Sequence, residues 1–237
     1  MIEIKNYSKR YENGKLAVNN LNLVIEDGDL FAFIGHNGAG KSTTIKSIVG
    51  ILPFNEGEIF INGVSVKENP LECKKQIAYV PDNPDLYESL TGMAYLNFIA
   101  DVFKVDKSKR QELIEKYGKQ FEIYDSLNNY ISSYSHGMKQ KLVLISALIH
   151  EPKVFILDEP FVGLDPIASH NMKEVMKELC SKGCSIFFST HVLEVAEKLC
   201  NKIAIIKNGE LIIAGNMEEV TKDSSLEDVF LELSEHA

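Results

Sequence analysis

The segment Gly35-His36-Asn37-Gly38-Ala39-Gly40-Lys41-Ser42 constrains the fold of this chain more than any other stretch. It fits the pattern GxxxxGK[ST], follows the apolar run 30–34, and leads into the helix-like stretch 43–49, beginning at Thr43. A glycine-rich loop between a buried strand and a helix turns its backbone N–H groups inward at a helix N-terminus, as a cradle for an anion. In that pattern Lys41 reaches the β- and γ-phosphates of a nucleotide, and Ser42 offers its hydroxyl to Mg2+. A second signal lies downstream, where the apolar run 154–157 ends in Asp158-Glu159. A strand that delivers carboxylates to its C-terminal end places Asp158 to support the metal through its water shell. Glu159 is placed to orient and deprotonate a water.

The flanking sequence supplies the elements this arrangement needs. Leu21, Leu23 and Ile25 alternate with polar residues, and Asp27-Gly28 then turns the chain into 30–34; Ile59 and Ile61 alternate before Asn62-Gly63 turns into Val64 and Val66. Both patterns are hairpin signals, and Asn208-Gly209 between 203–206 and 211–213 is a third. From Thr91, a candidate N-cap, the period changes: Leu96, Ile99, Ala100 and Phe103 recur at i, i+3, i+4, i+7. Leu113, Ile114, Tyr117 and Phe121 keep a helical spacing, 138–149 is a further apolar-striped segment, and residues of about 84–150 read as a helical insert. The runs 154–157, 186–188 and 203–206 are apolar without alternation, as in parallel strands covered on both faces, with helical composition between them at about 167–181 and 192–200.

Composition narrows the function. The chain has 237 residues, 45% hydrophobic, with Lys+Arg 25 against Asp+Glu 34 and a formal net charge of −9. Such a balance repels phosphate polymers, so no nucleic-acid partner is expected, while a local cationic cradle still suits a small anion. No apolar stretch approaches the roughly 20 residues that cross a bilayer, and the start does not resemble a signal peptide. The four cysteines, Cys73, Cys180, Cys184 and Cys200, lack CxxC spacing and read as reduced thiols.

With these motifs in hand, the sequence resembles the ABC (ATP-binding cassette) ATPases over nearly its whole length. The family's LSGGQ signature stands here as Tyr134-Ser135-His136-Gly137-Met138, in which Ser135 and Gly137 match and the other three depart. Gly163-Leu164-Asp165-Pro166 maps onto the D-loop and His191 onto the switch histidine; Tyr11, 30 residues before Lys41, matches the adenine-stacking aromatic, with Val18 against the ribose. The resemblance implies an α/β P-loop NTPase with a RecA-like parallel-sheet core, an antiparallel β flank and a helical insertion. It implies one domain over 1–237, with the core in about 1–83 and 151–237 and the helical subdomain in about 84–150.

The implied function is an ATP-hydrolysing subunit, with ATP and Mg2+, that energises a separate integral membrane permease from the cytoplasmic face of the membrane. Two cassettes, most simply a homodimer, would close head to tail, each signature (Ser135, His136, Gly137, Met138) facing ATP on the partner's loop. The tail, 211–215 and 225–230, resembles stand-alone bacterial exporter cassettes. Two departures leave alternatives open. Where the family has a glutamine, this chain has Pro81-Asp82-Asn83-Pro84, and Asp82 is either a charged metal ligand or a turn former. His136 replaces a glycine; it is either a neutral bystander or a phosphate donor, and it would be strained if the position needs positive φ. Two rival functions remain. One is a soluble cassette acting on nucleic acid or ribosomes, against which Lys41 and Ser135 stand only 94 residues apart without heptads. The other is a non-catalytic nucleotide-dependent module.

Overall fold

The computed structural model describes residues 1–222 and 224–235. Two sheets form its frame. The first holds β1 (Ile2–Arg10), β2 (Leu16–Ile25), β4 (Glu56–Ile61) and β5 (Val64–Ser65), antiparallel in the order β2-β1-β4-β5. The second holds β3 (Leu30–Ile34), β6 (Ile77–Val80), β7 (Val154–Asp158), β8 (Ser185–Thr190), β9 (Lys202–Lys207) and β10 (Glu210–Asn216), in the order β10-β9-β3-β8-β7-β6. All are parallel except the edge strand β10, which folds back on β9.

Helices α1 (Lys41–Ile48) and α2 (Pro70–Lys74) follow β3 and β5. Between β6 and β7 come α3 (Gly92–Val102), α4 (Lys107–Gln120) and α5 (His136–Leu148). Thr91 caps α3 by accepting from Ala94 N at 3.1 Å. Helices α6 (Pro166–Ser181), α7 (Leu193–Leu199), α8 (Met217–Thr221) and α9 (Leu226–Glu235) complete the chain. Among the described residues, no helix is long and apolar enough to cross a membrane. All four cysteines are free thiols, and burial pushes Cys180 and Cys184 up to about 12.

The unbroken apolar run of β3 follows from its position. Phe31 and Phe33 enter the core shared by the two sheets, whereas Leu30, Ala32 and Ile34 face the core under the helices. All five residues are buried, so neither face of the strand can be polar. That position also corrects the expected hairpin at Asp27-Gly28. β2 pairs with β1 in the first sheet, while β3 lies between β9 and β8 in the second, so the turn carries the chain from sheet to sheet. The Asn62-Gly63 and Asn208-Gly209 turns do join paired antiparallel strands.

Tyr7 ties the first sheet to α1. Its ring is fully buried, meets Phe54 edge-on at 5.2 Å, and its hydroxyl donates to Ser47 Oγ at 2.7 Å. Burial pushes this phenol up to about 12. Tyr7→Phe removes the donor from a buried Ser47 and is expected to lower stability by about 1–3 kcal/mol. The check is a lower urea midpoint at unchanged m-value.

Candidate functional site

Strand order and register bring distant motifs together. β8 lies between β3 and β7; Ile34 pairs with Thr190 and Asp158 with Ser189, so the three strands end level. The glycine-rich loop, Asp158-Glu159 and His191 therefore emerge side by side at the C-terminal edge of a parallel sheet, where open α/β sheets place ligands. The loop's backbone makes the cradle. Gly40 has φ +114°, and a Cβ there would stand 2.7 Å from the Ala17 carbonyl oxygen, so only glycine fits. Lys41 then opens α1.

Lys41 is buried, and its Nζ donates to the Gly35 carbonyl at 2.7 Å and the His36 carbonyl at 3.4 Å. It also lies 3.8 Å from Glu159 Oε1. Burial pulls its ammonium below the ordinary lysine value, and Glu159 and then Asp158 draw it back up. The other oxygen of Glu159, Oε2, accepts from His191 Nδ1 at 2.9 Å. A cation, a carboxylate and an imidazole are thus in series beside the loop. Glu159 holds φ +50°, a conformation costly for a non-glycine residue. Its N–H is anchored on Ser189, donating to Oγ at 3.0 Å and to the carbonyl at 3.2 Å. Ser189 Oγ in turn donates to the buried Asp158 Oδ1 at 2.5 Å.

A cleft of about 290 Å³ opens in front of this series. Its lining includes Tyr11, Asn37, Gly38, Gly40, Lys41, Ser42, Thr43, Asp82 and Glu159. Tyr11 Oη lies 3.1 Å from Thr43 Oγ1, which holds the aromatic ring at the loop. Gly35, His36 and Ala39 belong to the loop but do not line the cleft, and neither do Asp158 and His191, which reach it through Ser189 and Glu159. Val18 is a correction: it is fully buried in the inter-sheet core, and its neighbour Ala17 lines the cleft with Lys15. Asp82 reaches the cleft from the loop after β6 and lines it together with Ser42. The narrow glycine cradle, the buried ammonium and these hard oxygen donors suit a polyphosphate with a divalent cation.

Ser135–Met138 lie apart from the cleft. Ser135 caps α5 by accepting from Met138 N at 3.3 Å. His136 is exposed and is the first helical residue, without positive φ, so the strain considered for it does not arise. A Cβ at Gly163 would stand 2.6 Å from its ring, so the imidazole packs against the segment leading to Asp165. Asp165 caps α6, accepting from Ala168 N at 2.8 Å, and pairs with Lys141 at 2.7 Å. The Lys141 ammonium first, and then the Ala168 N–H, hold the Asp165 carboxyl below the usual carboxylate range. Sequence reasoning missed Ser189 and Lys141. A polar residue completing a buried strand just before His191, and a cation on α5, were the available signals.

The family model described as ABC transporter matches residues 18–162. The chain belongs to the ABC transporter family and is an ATP-binding subunit of that class. It is 35% identical over 239 residues to the ABC-type transporter ATP-binding protein EcsA of Bacillus subtilis (strain 168), covering 99% of this chain and 96% of that one. A solved ATP-binding subunit of an ABC transporter superposes with TM-score 0.94 at 34% identity, over 99% of both chains. A dimeric bacterial ABC transporter cassette, MJ0796, matches with TM-score 0.82 at 25% identity, over 92% of this chain and 99% of that one. The fold is the P-loop cassette of this family, whose members hydrolyse ATP.

Proposed function

We propose that this chain hydrolyses Mg·ATP as one half of a head-to-tail dimer and drives export through a separate membrane permease. The observation that carries the reading is the Lys41–Glu159–His191 series beside the glycine cradle. The Glu159 carboxylate takes a proton from water, whose oxygen attacks the γ-phosphorus as the bond to ADP breaks, giving ADP and inorganic phosphate. Lys41 carries the compensating charge, His191 holds Glu159 and approaches the γ-phosphate, and Tyr11 stacks on adenine. Ser42, Asp82 and, through water, Asp158 would hold Mg2+, which supplies charge neutralisation at the phosphates. Ser135 and the N–H groups opening α5 form an anion-seeking helix N-terminus on the chain surface, suited to ATP held by a second copy. The dimeric MJ0796 cassette supports that arrangement.

Residues 84–150 act as a subdomain that pivots on the Pro81–Pro84 loop. Where it meets the core lies a groove of about 390 Å³ lined by Ile51, Tyr79, Leu86, Tyr95, Phe103 and His150, among others. The His150 ring stacks on Phe103 with centroids 3.8 Å apart, and its Nδ1 is buried without a partner among the described residues. Burial holds the ring below the ordinary histidine value. A groove with this apolar lining suits a helix of the permease, which would hold the chain at the cytoplasmic face of the membrane. The 225–230 pattern supports export as the direction.

Ile51 is 59% exposed, so Ile51→Glu is expected to fold and to change phosphate release less than about twofold. It should abolish co-purification with the membrane permease that this reading requires. A variant that still co-purifies removes the groove from the reading.

A further inference from the structure

The glycine-rich loop is gripped from outside by the end of the chain. α9 starts from the fully buried Leu226, and Val229, Phe230 and Leu233 pack against the core under the helices. The Phe230 ring lies against the His36 imidazole, centroids 4.8 Å apart and planes inclined by 56°. Lys207, at the end of β9, donates to the Leu233 carbonyl at 3.5 Å. α9 also packs on α7, the helix that follows His191. His36 in turn offers its carbonyl to Lys41 Nζ at 3.4 Å. One helix therefore contacts both the loop that carries Lys41 and the helix that follows His191.

A phosphate cradle is made of backbone N–H groups, so the His36 side chain is not needed to build it. Its ring is instead a handle by which a remote helix can hold the loop. We propose that Phe230 is a positioning residue of the nucleotide site, fixing the glycine-rich loop through His36 and coupling α9 to nucleotide occupancy. The proposal rests on the nucleotide reading of that loop. A loop held in its binding conformation loses less freedom when the ligand arrives, so the contact raises affinity without touching the nucleotide. Coupling of binding equilibria is reciprocal, so bound nucleotide must also hold α9 more firmly.

The test measures binding of a fluorescent ADP with Mg2+ to the full chain, as wild type, Phe230→Ala, Phe230→Tyr, His36→Ala and the double alanine variant. An aromatic contact of this kind predicts that Phe230→Ala weakens binding about threefold to tenfold. Phe230→Tyr should restore it, and the double variant should bind no more weakly than the weaker single. An unchanged dissociation constant for Phe230→Ala, or effects that multiply in the double variant, would overturn the proposal. Should Phe230→Ala not fold, Phe230→Leu with the exposed His36→Ala completes the cycle. Hydrogen exchange supplies a readout that a merely structural role would not move. Amides 226–235 should slow on ADP binding in wild type but not in His36→Ala, and identical slowing in both contradicts the coupling. Lys41→Ala separates the premises: full ADP binding by that variant rejects the nucleotide reading itself, whatever Phe230 does.

Discussion

Glu159→Gln is expected to lower ATP turnover by about 10²–10⁴-fold, the usual contribution of a positioned general base. The substitution is isosteric, and the amide oxygen can still accept from His191 Nδ1, which lies 2.9 Å from the present Oε2. The backbone anchor to Ser189 at 3.0 Å does not involve the side chain, so the φ of +50° survives. What disappears is the ability to take a proton from water. Nucleotide affinity should remain, because Lys41 and the cradle are untouched. With hydrolysis blocked and ATP still bound, the closed dimer should persist, and light scattering should show the mass doubling with Mg·ATP. A Glu159→Gln chain that stays monomeric with ATP would remove the head-to-tail mechanism.

Lys41→Ala acts on the other end of the same series. Its ammonium is the buried cation at the loop, held by two backbone carbonyls at 2.7 and 3.4 Å. Deleting it leaves the phosphates without their fixed counter-charge and the Glu159 carboxylate without its neighbour at 3.8 Å. Truncating one side of a desolvated charge pair typically costs about 2–5 kcal/mol, or about 30-fold to several-thousand-fold in affinity. Titration with a fluorescent nucleotide should show that loss, and phosphate release should vanish. Undiminished release would withdraw the loop from the site.

Much of this arrangement was legible because it depends on short, local patterns. The glycine-rich loop needs a strand before it and a helix after it, and β3 and α1 are those elements. The apolar runs without alternation are parallel strands buried on both faces, which is a direct consequence of sheet position. What stayed hidden depends on pairing across the chain. β1 was not expected as a strand because register shifts break its alternation between Ile4 and Arg10, and Asn6 sits at φ +47°. The Asp27-Gly28 turn has hairpin chemistry, yet each flanking strand finds better cover in a different sheet. Val18 and Ala17 are both buried, so only the fold shows that Ala17 borders the cleft. Ser189, Lys141 and Phe230 act through partners 30, 24 and 194 residues away in sequence, beyond the reach of any local pattern.

The central claim is that a working site needs Mg·ATP and two copies of the chain. It is tested most directly by phosphate release from Mg·ATP by the purified wild-type chain, measured against chain concentration. The rate per chain should rise with concentration to a plateau and fall to zero when Mg2+ is chelated. A rate per chain that is constant down to the lowest concentration, or no phosphate release at any concentration, would contradict it.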